Sequence, residues 1–291
     1  MVWLFVLLLA PQFDTTFREG LLALNRNDLP TAESRLEAAS KIEPQNARVW
    51  LALAQTYWKL HKPAQTALHN AETYGASDTF VMGALPTVYF EIAQEDLGRQ
   101  DFAAALRTLD GGRKRFPDNA QLALAAGVAC YGLRRFPEAI DAFLRTTELD
   151  PTVEQPYVFL GRMLDQAEGR LPRIAALFEA FAKRAPDNYL STYLYGKALA
   201  LAGRPADAEP LLRRSIASNG AFSESHFELG VLLADRRHWQ DAAAELRRAA
   251  ELDPSDAATH YHLARVYDRL GKSTEAQAER ALHARLTAGI K

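Results

Sequence analysis

The residues that could carry chemistry are few, and their spacing argues against it. His260-Tyr261-His262 brings two imidazoles together, as a metal site would, but side chains two apart on a helix point to different faces. His226 lies 34 residues before His260, in a column that Trp50 shares, which favours a packing role for both. Glu279 and His283 are an (i, i+4) pair and read as a solvated pair. Cys130 is the single cysteine, so no intrachain disulfide and no CxxC metal motif exist. It stands in the column of Tyr57 and Tyr267 and reads as a buried, inert thiol. No GxSxG, HExxH, phosphate-loop or dinucleotide motif occurs. Gly111-Gly112 belongs to a helical stretch with no strand before it, which leaves a phosphate cradle unsupported. Arg134-Arg135 and Arg213-Arg214 read as turn and solvent-face charges. The expectation is a chain that is not an enzyme, with no catalytic residue, no metal and no cofactor.

The totals narrow the partners. With 34 Lys and Arg against 36 Asp and Glu, the formal net charge is -2, and no general basic face for nucleic acid or anionic lipid is expected. A hydrophobic share of 48% allows a large core in 291 residues. Residues 1–10, MVWLFVLLLA, are all apolar. Ten helical residues reach roughly 15 Å against a hydrocarbon core of about 30 Å, too short to cross a bilayer alone. The length suits the apolar core of a secretory signal peptide. No Lys or Arg precedes it, however, and Leu8-Leu9-Ala10 departs from a small-residue cleavage site. An apolar cap on the first helix and a wrongly chosen start codon are the alternatives. The expected location is exported, periplasmic or membrane-associated, with the cytoplasm as the alternative. Membrane contact is expected only through residues 1–10.

The elements that position these residues follow a fixed period. Pro117 and Pro151 are 34 apart, as are Gly127 and Gly161, Gly196 and Gly230, Ala105 and Ala139, and the series Ala208, Ala242 and Ala276. Within one period, residues 120–153, an apolar helix through Leu122–Leu133 meets a turn at Arg134-Arg135-Phe136-Pro137. A second helix follows over Glu138–Leu149, with Pro137 in its first turn, where a missing N–H costs nothing. Asp150-Pro151 ends it, because proline disfavours helix in the residue before it. Repeats are placed at about 13–46, 47–78, 86–119, 120–153, 154–188, 189–222, 223–256 and 257–288. Thr79–Leu85 is an insertion expected to lengthen the following helix, with Pro86 as a kink. Glycine inside a helix costs about 1 kcal/mol relative to alanine, and close approach of two helices is the compensation. Phe102, Phe136 and Trp239 are expected to fill the wedge between helices. One such pair cannot bury its apolar faces alone; stacked neighbours can.

A 34-residue helix–turn–helix unit with a large–small–aromatic first helix, a later alanine and a final proline resembles the tetratricopeptide repeat. His226-Phe-Glu-Leu-Gly230 through Ala242 to Leu252-Asp253-Pro254 matches best, and Trp50-Leu-Ala-Leu-Ala54-Gln-Thr-Tyr57 matches the first helix closely. The likeness runs over about 13–288. It implies an all-α, right-handed superhelical solenoid of about eight repeats, with residues 1–12 as a separate apolar segment. It also implies protein–protein interaction and supplies no catalytic residue to transfer.

In such stacks the first helices line the concave face. The resemblance then places Phe17, Leu51, Phe90, Leu124, Val158, Tyr193, Phe227 and Tyr261 in one groove column. Four residues on come Leu21, Gln55, Gln94, Val128, Arg162, Lys197, Val231 and Arg265. The candidate peptide-binding residues are Phe90, Gln94, Val158, Arg162, Tyr193, Lys197, Phe227, Tyr261 and Arg265. Arg162, Lys197 and Tyr193 are expected to converge, where charge-assisted hydrogen bonds suit an acidic or C-terminal segment. The competing reading is that the aromatics only pack between helices and the cations are solvated. The expected function is a non-catalytic scaffold that holds a peptide or helix of a partner protein in this groove. The alternatives are a membrane-tethered or exported assembly factor that uses its ends or convex face, and, more remotely, an accessory subunit of an enzyme. Partner identity and oligomeric state are not legible.

Overall fold

The computed structural model describes residues 2–167 and 169–288, with side-chain surroundings from residue 12 onward. Among these residues there are sixteen α-helices and no strand. They fall into two compact units that divide after Pro156.

The N-terminal unit contains four pairs: α1 (Val2–Asn25) with α2 (Leu29–Ile42), α3 (Ala47–Lys59) with α4 (Gln65–Tyr74), α5 (Thr79–Gly98) with α6 (Phe102–Arg115), and α7 (Ala120–Gly132) with α8 (Phe136–Leu149). The C-terminal unit contains α9 (Gln155–Arg162, from its third residue) with α10 (Leu171–Arg184), and a 3-10 turn at Leu164–Gln166 between them. It continues with α11 (Tyr189–Leu201) and α12 (Pro205–Ser218), α13 (Ser223–Asp235) and α14 (Trp239–Leu252), and α15 (Ala257–Arg269) and α16 (Ser273–Ala288). Within each unit the substantial contacts join a helix to the next one or the next but one. That is the pattern of a stack stabilised by neighbours.

Local chemistry sets the boundaries. Asn46, Asp78, Asn119, Asn188 and Asp256 precede first helices, and each side chain accepts hydrogen bonds from backbone N–H groups of the first turn. The turn inside each pair passes through a left-handed residue: Asn27, His61, Gln100, Arg134, Gly169, Gly203, Arg237 and Gly271. Thr79–Gly98 is one helix of 20 residues with Pro86 inside it.

The small-residue columns mark close approaches. A Cβ on Gly127 would lie 2.6 Å from the Phe143 ring, and one on Gly230 would lie 2.6 Å from Leu246 Cγ. Each contact is made sixteen residues along, on the second helix of the same pair. Overpacking of this kind costs about 1–3 kcal/mol, more than the helix propensity that alanine would restore. Ala54, Ala93, Ala105, Ala139, Ala208, Ala242, Ala264 and Ala276 are all buried. Phe102, half-buried, presses on α7 where a Cβ on Gly132 would lie 2.5 Å from its ring, and half-buried Phe136 packs edge-on against Tyr131 at 6.0 Å, while Phe143, Leu212 and Leu246 fill the space over Gly127, Gly196 and Gly230.

No helix of the described residues is long and apolar enough to cross a membrane. The signal-peptide reading rests on side chains of residues 1–10, which lie outside the described set.

Candidate protein-interaction site

The residues first inspected for chemistry are held for structural ends. His260 Nε2 lies 3.1 Å from the Pro254 carbonyl, and its Nδ1 lies 2.6 Å from Glu279. His226 repeats the arrangement one period earlier, with Gly220 at 3.3 Å and Glu245 at 2.7 Å. A carbonyl only accepts, so Nε2 carries the hydrogen in both. Trp50, in the same column, donates its indole N–H to the Pro44 carbonyl at 2.7 Å. In these three repeats the column ties the first helix to the loop before it, and the histidines add a tie to the second helix. This corrects the solvated Glu279–His283 pair: Glu279 serves His260, and His283 Nδ1 meets the Ala257 carbonyl at 2.9 Å. Cys130 is buried, and burial pushes its thiol up, away from the reactive thiolate. Gly111 and Gly112 lie inside α6, with Gly112 against Tyr89 and Leu122. Among the described residues no cluster of three His, Cys, Asp or Glu side chains could hold a metal ion.

In the N-terminal unit, Phe90 is half-buried and Gln94, one turn later on α5, is exposed. In the C-terminal unit, Val158 is half-buried and Arg162 is exposed at the end of α9. Tyr193, Lys197 and Phe227 come together in a cleft of about 360 Å³ between α11, α13 and the start of α15. Lys197 Nζ sits 5.9 Å over the Tyr193 ring and 3.0 Å from Glu228 Oε1. Burial pulls the ammonium toward deprotonation, but the Tyr193 hydroxyl and the Glu228 carboxylate outweigh it and raise the Lys197 pKa. Burial likewise pushes the Tyr193 hydroxyl well up, so it stays neutral as a hydrogen-bonding group. Glu224, Glu228, Asp253 and Asp256 all line this cleft, against one cation.

The expected convergence of Arg162, Lys197 and Tyr193 on an acidic segment therefore needs correction. Tyr193 and Lys197 do meet, but Lys197 is spent on Glu228, and Arg162 does not line the cleft. The cleft is acidic.

The remaining predicted residues lie beside it on α15. Tyr261 is 46% exposed, and the Arg265 guanidinium carbon lies over its ring, 5.6 Å from the centre. Arg265 also lines a second cleft, of about 170 Å³, with Asp235 at the end of α13, Arg237 of the following turn, Trp239 at the start of α14, and His262 and Arg269 of α15. The Arg269 guanidinium carbon lies over the Trp239 ring, 5.9 Å from its centre. Burial, then the charge of Arg265, hold His262 below the ordinary imidazole value. Column reasoning singled out Arg265 but not Arg237, Trp239 or Arg269. Arg269 was within reach of the (i, i+4) rule from Arg265; Arg237 was not, because its position depends on the left-handed turn.

Models of the tetratricopeptide repeat match residues 17–67, 90–154 and 164–223, and a second such model matches 245–278. The chain belongs to the tetratricopeptide repeat family. Among solved structures it is similar to PilW, a widely conserved type IV pilus biogenesis factor, at 20% identity and a TM-score of 0.56, over 68% of this chain and 91% of that one. TTC0263, a thermophilic repeat protein of Thermus thermophilus, aligns at 21% identity and a TM-score of 0.49, over 59% of this chain and 99% of that one. YrrB, a repeat protein with an unusual peptide-binding site, aligns at 18% identity and a TM-score of 0.40, over 76% and 92%. At these identities the likeness is one of fold. No curated protein matches the sequence significantly.

Proposed function

We propose that this tetratricopeptide repeat protein is a non-catalytic scaffold that holds a segment of a partner protein against the first helices of its repeats. The carrying observation is the exposed aromatic and charged face of α15, beside half-buried Phe227 of α13. Tyr261 and Arg265 stand out from it, while the polar groups that could do chemistry are engaged in helix-to-loop ties. Aromatic and arginine side chains are the usual anchors of protein interfaces. Phe90, Gln94, Val158 and Arg162 complete the proposed contact set in their own units. Pull-down titration with the full chain tests this reading. Tyr261→Ala should weaken partner capture about tenfold with an unchanged melting temperature, and unchanged capture would count against it.

The reading extends to location: the apolar residues 1–10 act as an export signal. N-terminal sequencing of the mature protein should then give a start near Gln12. An intact Met1 in the membrane fraction would favour tethering instead.

A further inference from the structure

The cleft bounded by the end of α13, the α13–α14 turn and α15 concentrates positive charge. Arg237, Arg265 and Arg269 line it, and all three are exposed. Asp235 is the one carboxylate among the lining residues. No carboxylate of the described residues lies within ion-pairing distance of any of the three guanidinium groups. Nearby Asp268 is already held by Arg280 at 2.5 Å. Like charges gathered without partners repel one another, so the folded chain gains nothing from their proximity.

The aromatic groups explain how the arrangement persists and what it offers. Arg265 lies on Tyr261 and Arg269 on Trp239. Each ring holds its guanidinium by cation–π attraction, which uses none of the N–H groups as donors to a carboxylate. A guanidinium edge matches a carboxylate, which it can bind with two parallel hydrogen bonds. The cleft volume of about 170 Å³ compares with roughly 30 Å³ for one water in the liquid, so one acidic side chain fits inside it. His262 forms the cleft wall, its ring edge-on to Phe227 at 5.5 Å and to Tyr261 at 5.3 Å. That aromatic wall suits the methylene carbons next to a carboxylate.

We infer that this cleft binds a glutamate- or aspartate-rich segment of a partner protein, with Arg265 and Arg269 gripping one side-chain carboxylate and Arg237 a neighbouring one. The inference rests on the scaffold reading and adds the chemistry of the partner. The acidic cleft around Lys197 lies at the start of α15, and its charge would repel such a segment from the wrong seat.

Fluorescence anisotropy with the purified full chain and a labelled hexaglutamate peptide at low salt tests it. Saturable binding is expected, weakened about tenfold or more by Arg265→Glu and by Arg269→Glu. The same charge change at exposed Arg107 on α6 should have little effect. Equal losses from Arg107→Glu would mean diffuse attraction and would overturn the site, as would equal binding by all variants or none by the parent chain. Inorganic phosphate that competes as well as the peptide, charge for charge, would assign the cleft to free anions and also overturn it. The failures are separable. A partner captured equally by the parent and by Arg265→Glu defeats the acidic-segment inference and leaves the scaffold reading intact. Capture abolished by Tyr261→Ala and by Arg265→Glu alike supports both.

Discussion

Lys197 and Arg265 occupy the same place in two first helices, 68 residues apart, and each stands over the tyrosine four residues before it, Tyr193 and Tyr261. The repeat has reproduced the cation-over-ring geometry at 5.9 and 5.6 Å. It has not reproduced the surroundings. Tyr193 is buried and Lys197 is neutralised by Glu228 of the next pair, whereas Tyr261 is nearly half exposed and Arg265 shares its cleft with two other arginines. One column thus yields a structural ion pair in one repeat and an unpartnered anchor two repeats later. Backbone periodicity fixes where a side chain points; the residue that arrives from the neighbouring helix decides whether its charge is available.

The largest expected difference between the two places is in stability. Lys197→Ala leaves Glu228, only 17% exposed at its side chain, without its cation. Losing one partner of such a pair costs about 1–3 kcal/mol, which urea unfolding should register as a lower midpoint. Arg265→Ala, at an exposed position, should stay within about 0.5 kcal/mol of the parent. Equal losses from both would erase the distinction. Adding Glu228→Ala to Lys197→Ala should restore part of the loss.

A smaller effect sharpens the same contrast. Glu228→Gln frees the Lys197 ammonium while keeping the shape of its neighbour. The acidic cleft should then gain weak affinity for an acidic peptide, held down by the remaining Glu224, Asp253 and Asp256. Measured by anisotropy in an Arg265→Glu background, the gain should be a few-fold at most. A gain equal to the affinity of the arginine cleft would show that the surroundings matter less than the cation itself.

The smallest effect is in pH dependence. Burial, then Arg265, hold His262 below the ordinary 6.5. The folded chain therefore resists a proton that the unfolded chain accepts. The contribution of His262 to stability is complete above pH 6.5 and declines as pH falls from there toward the folded value. Arg265→Ala removes the second of the two causes and should raise the imidazole titration seen by NMR. Lys197→Ala should leave it in place.

Much of the fold was legible because it depends on local chemistry repeated at one spacing. Pro117 and Pro151, the Gly127–Gly230 series and the buried Ala105–Ala276 series all mark helix ends or close contacts that any repeat must provide. The left-handed turn was harder to see. Glycine announces it at Gly169, Gly203 and Gly271, but Asn27, His61, Gln100, Arg134 and Arg237 adopt it without that signal. The ties of His226 and His260 reach a glutamate 19 residues away on the second helix, and Lys197 reaches a glutamate 31 residues away in the next pair. Neither separation is an intrahelical spacing, so no sequence period points to them. The same reason hid the arginine cleft: Arg237, Trp239 and Arg269 belong to a turn and two different helices that only packing brings together.

The claim that the first-helix face of the C-terminal unit holds a partner protein can be tested in the cell that makes this chain. A photo-activated crosslinker placed at Tyr261 should join the protein to a discrete partner, and the same group at Arg213, exposed on the second helix α12, should not. Adducts that are absent from Tyr261, or that match those from Arg213 in identity and yield, would contradict it.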